Sequence, residues 1–164
     1  EALYLLGDFG VRVQGRRAVV TEPVRELDFG DWTDQGLPFY GGNVTYHLKL
    51  TAEREGEQAG IQISNFTVPV IRADLDGKKQ GLIAFSPYRL MTEPLPAGRH
   101  KLDVTAYGNR VNTFGALHNS DMEDNRSAPD YWRTTGCGWS YEYCIRPMGI
   151  LKTPVITFFP YSIC

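Results

Sequence analysis

Two loop-like stretches hold the residues with the widest chemical scope. Gly30 to Gly42 combines Trp32, Phe39 and Tyr40 with Asp34 and Gln35. Leu117 to Gly138 combines His118, Asn119, Asp121, Asp130, Tyr131, Trp132 and Arg133, with Trp139 next in the chain. Flat aromatic faces stack on the C–H faces of pyranose rings, while amides, carboxylates and guanidinium groups hydrogen-bond the ring hydroxyls. This mixture is the one that carbohydrate recognition uses. The candidate contact residues are Trp32, Tyr40, His118, Asn119, Asp121, Tyr131, Trp132, Arg133 and Trp139. Trp32 and Trp139 also fit a second reading, as plugs at the ends of a core, because large aromatics are buried on average. Trp132, between Tyr131 and Arg133 in a polar loop, is the better candidate for an exposed platform.

Other chemistries find less support. Asp121, Glu123, Asp124 and Asp130 could supply the two carboxylates that glycoside hydrolysis needs, about 5–10 Å apart, but an acidic loop is more simply a solvated one. His47, His100 and His118 are too widely spaced to announce a metal site, and no phosphate loop, nucleophile elbow or HExxH motif occurs. No catalytic residue, metal or cofactor is therefore assigned. Cys137, Cys144 and Cys164 have neither a metal-like spacing nor the even number of a disulfide framework. A Cys137–Cys144 bridge is the alternative, but sparse cysteines usually stay reduced, so reduced thiols are expected, which leans towards a cytoplasmic setting. Asn43-Val44-Thr45 and Asn65-Phe66-Thr67 match the glycosylation sequon but fall in or beside expected strands.

The elements that must position these loops are strands. Ile71, Ala73 and Leu75 alternate with Arg72, Asp74 and Asp76, the period of a strand with one dry face. Asp76-Gly77 suits a tight hairpin turn whose two central residues take positive φ, and Leu82 to Phe85 is the expected return strand. Pro87, Pro94 and Pro96 mark a loop or edge passage. Alternation resumes from His100 through Leu102, Val104 and Ala106. Val44, Tyr46, Leu48 and Leu50 form the clearest alternation, Glu53 to Gly60 is read as a turn, and Ile61 and Ile63 open the next strand. Val11 and Val13 with Ala18 and Val20 predict a hairpin around Gly15, and Leu3 to Phe9, Leu27 to Phe29 and Tyr141 to Ile145 read as further short strands. Ile150 to Phe159 reads as a buried last strand. No window of ten residues carries a helical stripe. Many short strands between Gly, Pro and Asp turns predict an all-β, antiparallel β-sandwich, because two amphipathic sheets must bury their apolar faces against each other.

The order of these signals resembles a known family. Ala73 in its strand, the Asp76-Gly77 turn, Pro87-Tyr88, the Leu95 to Gly98 turn and a long strand ending near Asn109 or Asn112 follow one another. This order is similar to the sugar-binding jelly-roll domain that accompanies the catalytic barrel in family 2 and related glycoside hydrolases. Tyr40 to Tyr46 looks like that family's entry into its first long core strand, and the similarity spans roughly residues 37 to 115. The resemblance implies a galactose-binding-like jelly roll. It also implies a non-catalytic carbohydrate-binding module of a multidomain, bacterial-type glycoside hydrolase, because the family's catalytic acids sit on the barrel. The implied partners are an oligo- or polysaccharide and the neighbouring catalytic domain of the same chain. The alternative is a structural domain that packs on the barrel or a second subunit without touching sugar. Related modules sometimes hold a structural calcium, but nothing here has the spacing for one.

The chain's size and charge agree with this. Its 164 residues fit one domain, 1–164, burying about two thirds of its unfolded surface. The start at Glu1 leads us to expect a piece of a longer polypeptide. A formal net charge of −2 with scattered basic residues argues against nucleic acid. No apolar run approaches the ~20 residues of a membrane span.

Overall fold

The computed structural model describes residues 4–121, 132 and 134–160. They fall into two compact units: a loop unit, Glu1–Gly41 with Arg110–Pro147, and a sandwich unit, Gly42–Asn109 with Met148–Cys164.

The sandwich unit contains β3 (Val44–Ala52), β4 (Glu57–Gln62), β5 (Val70–Leu75), β6 (Lys78–Ile83), β7 (Arg89–Met91), β8 (Gly98–Tyr107) and β9 (Val155–Pro160). They form a four-stranded sheet in the order β3-β8-β5-β6 and a three-stranded sheet in the order β7-β4-β9, with every pairing antiparallel. Between β3 and β9 the chain passes repeatedly from one sheet to the other, the arrangement of an antiparallel β-sandwich. Ile71, Ala73 and Leu75 of β5, Leu102, Val104 and Ala106 of β8, and Ala59 and Ile61 of β4 are buried, so the alternation does report the dry faces. Gly81 of β6 leaves room for the other sheet: a Cβ there would lie 2.7 Å from Leu90 of β7.

The Asp76-Gly77 turn has φ of 50° and 79°, as a type I′ hairpin requires. The strand beyond it starts at once, at Lys78, and ends at Ile83, earlier than the expected Leu82 to Phe85. Its register slips between Ala73 and Asp74, which pair with Gly81 and Lys79, so Gln80 is the extra residue of a β-bulge. The outer face of the larger sheet is a polar ladder. Thr45 and Thr105 hydroxyls lie 2.9 Å apart, His47 Nδ1 is 2.6 Å from Asp103 Oδ1, and Arg72 donates through Nε and Nη2 to Asp74 at 3.0 and 2.6 Å.

His100 of β8, in line with Leu102, Val104 and Ala106, is buried. Its Nδ1 lies 2.7 Å from Asp76 Oδ2 and its Nε2 2.9 Å from the Pro96 carbonyl, so both ring nitrogens face acceptors. Only the imidazolium can donate to both. The Asp76 hydrogen bond, aided by the carbonyl, raises the His100 pKa, and the same bond with the Lys101 amide lowers that of Asp76.

Several expected strands are corrected. Glu57–Gln62 is strand throughout, although Glu53 to Gly60 was expected to turn; Gly60 lets Arg89 of β7 reach over the Phe159 ring of β9, at 4.7 Å. β9 begins only at Val155 and is a half-exposed edge rather than a buried strand, while Ile150 forms an isolated bridge to Phe66. In the loop unit, the hairpin β1 (Gly10–Gln14) and β2 (Arg17–Thr21) forms around Gly15 as expected. Tyr4 to Phe9, Leu27 to Phe29 and Tyr141 to Ile145 are not strands. The single helix among the described residues is α1 (Val111–Phe114).

Candidate functional site

The loop unit is built by specific polar contacts rather than by a sheet. Gln35 clips the first loop to itself: its Oε1 accepts from the Asp28 amide at 2.9 Å, and its Nε2 donates to the carbonyls of Asp28 and Asp31 at 3.2 and 3.1 Å. Asp31 Oδ1 accepts from the Thr33 amide and hydroxyl, an Asx turn of the kind aspartate favours. The Val11 amide donates to the Gly36 carbonyl at 2.8 Å, tying hairpin to loop. Buried Asn112 exchanges two hydrogen bonds with the Arg146 backbone, at 2.7 and 3.0 Å, and the Thr113 hydroxyl holds the Phe39 carbonyl.

These ties converge on residues 139–145. The Tyr143 amide donates to the Gly15 carbonyl, Cys144 to Leu117, and Ser140 to His118. That is why Tyr141 to Ile145 alternates without being a strand: its donors divide between the hairpin turn at Gly15 and the loop at Leu117. His118 Nδ1 faces the carbonyls of Ser140 and Glu142 at 3.0 and 3.3 Å. Nδ1 must therefore carry a proton.

An aromatic array results. Phe39 meets Tyr143 edge-on at 5.4 Å, Tyr143 lies on His118 at 4.9 Å, His118 on Trp139 at 5.8 Å, and Trp139 meets Tyr141 at 4.3 Å. Arg16, at the hairpin turn, places its guanidinium 5.2 Å from the Tyr141 ring, a cation–π distance. Tyr141 is 67% exposed. Beside the array, the hairpin, the first loop and residues 142–145 enclose a cleft of about 630 Å³, lined among others by Arg12, Thr21, Asp31, Thr33, Asp34, Glu142 and Tyr143. That volume is in the range of small-molecule sites.

The sequence-derived candidates divide. His118 and Trp139 belong to the array, and Asn119 bridges to Trp139 in the backbone. Asp121 is exposed, its amide held by Asn119 Oδ1 at 3.1 Å. Trp32 is 0% exposed and thus a core residue, not a stacking platform; Tyr40, 38% exposed, meets it edge-on at 6.4 Å. Trp132 is 55% exposed. Tyr131 and Arg133, with Glu123, Asp124 and Asp130, lie outside the described residues. Cys137 and Cys144 are free thiols. Tyr141, Tyr143, Glu142, Arg12 and Arg16 were missed. The signal for Tyr141, Glu142 and Tyr143 is the dense Trp139-Ser-Tyr-Glu-Tyr143 run, which alternation alone had turned into a strand; Arg12 and Arg16 carry no such signal. Among the described residues no group of three or more His, Cys, Asp or Glu could hold a metal ion.

No family model and no curated protein matches the chain. Solved structures do. A rhamnosidase from Novosphingobium sp. PP1Y is similar over 95% of this chain, at 17% identity with a TM-score of 0.51. A GH2 beta-galacturonidase from Eisenbergiella tayi is similar over 66% of it bound to galacturonate and 69% bound to glycerol. Those two structures are 21% and 22% identical, with TM-scores of 0.38 and 0.39. The chain spans 16% of the rhamnosidase and 19% of the galacturonidase chains. The likeness to the rhamnosidase is one of fold.

Proposed function

We propose that this chain is a non-catalytic carbohydrate-binding domain of a larger glycoside hydrolase, holding glycan for a catalytic domain elsewhere in the same protein. The observation that carries the reading is the array running from Phe39 to the exposed Tyr141 beside a cleft of hydroxyl, carboxylate and guanidinium groups. Tyr141 and Trp132 offer aromatic surface for a pyranose face, and the cleft offers partners for hydroxyls. The hydrolase context is supported by the rhamnosidase, of whose chain this fold makes up about a sixth.

The test is a glycan array with the intact chain. Binding that falls at least tenfold in Tyr141→Ala, with the melting temperature unchanged, is expected. A chromogenic glycoside should stay intact, since the domain is non-catalytic. A second reading, docking on a catalytic barrel or a second subunit, is favoured by Leu82 and Phe85, large apolar side chains left exposed at and beyond the end of β6, Phe85 by 86%. A flat array combined with self-association in sedimentation would select it.

A further inference from the structure

The cleft beside the aromatic array has a charge that the choice of sugar must respect. Its charged lining is one guanidinium, Arg12, and three carboxylates, Asp31, Asp34 and Glu142. Asp31 is engaged by Thr33, whereas Asp34 and Glu142 are exposed and their side chains form no ion pair with a described residue. The Glu142 carboxylate lies beside the hairpin turn: a Cβ on Gly15 would lie 3.4 Å from its Oε1.

Ionised carboxylates only accept hydrogen bonds. A neutral pyranose brings several hydroxyl donors, and two neighbouring hydroxyls can serve one carboxylate. A uronic acid replaces a donor by another acceptor and adds a negative charge to a rim that is already negative, which selects against it by repulsion.

We propose that this cleft takes a neutral hexopyranose residue of the glycan and excludes uronic-acid residues by charge. The inference rests on the carbohydrate-binding reading above and names the sugar class for it.

The test uses the intact chain and calorimetric titration with matched trisaccharides at low and at 0.3 M salt. One set comprises neutral gluco-, galacto-, manno- and rhamno-oligosaccharides, the other oligogalacturonate and oligoglucuronate. At least one neutral probe is expected to bind at least tenfold more tightly than any uronate at low salt. The gap should narrow to less than threefold in the D34N/E142Q double variant and shrink in high salt as charges are screened. Val13→Trp, which fills the cleft from β1, should abolish neutral-sugar binding while circular dichroism stays unchanged. Uronate binding equal to or tighter than neutral-sugar binding would overturn the charge selection and leave carbohydrate binding standing. Neutral-sugar binding indifferent to both variants would overturn the assignment to this cleft. Binding to no probe would overturn the carbohydrate reading as well.

Discussion

The two units use opposite means to hold a shape. Of the buried apolar residues described, nearly all belong to the sandwich unit, where Ile61, Ile71, Leu102 and Val104 are sealed by paired strands, and Trp32 and Pro38 are the loop unit's share. The loop unit holds its form through side-chain amides, hydroxyls and ring contacts, with Asn112, Gln35 and His118 as its joints. Burial joins many residues of both sheets in one core, so a cavity there weakens the whole sandwich, whereas losing a polar joint acts locally by stranding a buried partner. A packed sandwich suits a scaffold. A surface of polar joints and half-exposed rings suits recognition, where side chains must stay accessible.

This contrast can be sharpened by mutation. Leu102→Ala in β8 should have the largest effect, about 2–5 kcal/mol, read as a lower urea midpoint with β-sheet signal lost in the same transition. Asn112→Ala should cost about 1–3 kcal/mol by stranding the Arg146 backbone groups. Faster amide exchange should then be confined to residues 110–147 while the β8 amides keep their protection; equal loss in β8 would merge the two units into one.

The third prediction concerns the His100–Asp76 pair within the sandwich. Since the folded state raises the His100 pKa, its stabilisation is complete below the ordinary histidine value of 6.5. It is lost as pH climbs through the raised value. Since Asp76 is lowered from 3.8, its contribution is complete above 3.8 and lost as pH falls through the lowered value. Stability should therefore be flat between these limits and decline on both sides. His100→Gln should remove the alkaline limb, about 1 kcal/mol given that Asp76 is half exposed. An alkaline limb that survives in His100→Gln would refute the pairing. The smallest effect on stability, within about 0.5 kcal/mol, is expected for Tyr141→Ala, whose loss should appear in glycan binding alone.

What the sequence disclosed follows the same division. In the sandwich, alternation and burial have one cause, so β3, β5 and β8 were legible, as was the Asp76-Gly77 turn. Glu53 to Gly60 misled because a polar run was read as a turn, when Glu57 to Gly60 already belong to β4 and the missing side chain of Gly60 makes space for Arg89 and Phe159. In the loop unit the inference reversed. Leu27 to Phe29 and Tyr141 to Ile145 alternate, yet no strand among the described residues pairs with them, and their backbone amides donate to Gln35, Gly15 and Leu117. The candidate loops were legible by composition. Their meeting through Tyr143 and His118 was not, because ring contacts between distant segments leave no periodic trace. Trp32 shows the limit of composition alone: the same residue type that makes a platform at an exposed position makes a plug at a buried one.

The central claim is that recognition resides in the loop unit and the sandwich serves as scaffold. Its most direct test is an amide chemical-shift titration of the whole chain with the neutral oligosaccharide that binds best. Shifts are predicted at residues 12–16, 31–36 and 139–145, with the central strands β5 and β8 unmoved. Shifts centred on the sandwich strands, with the loop unit silent, would contradict the account.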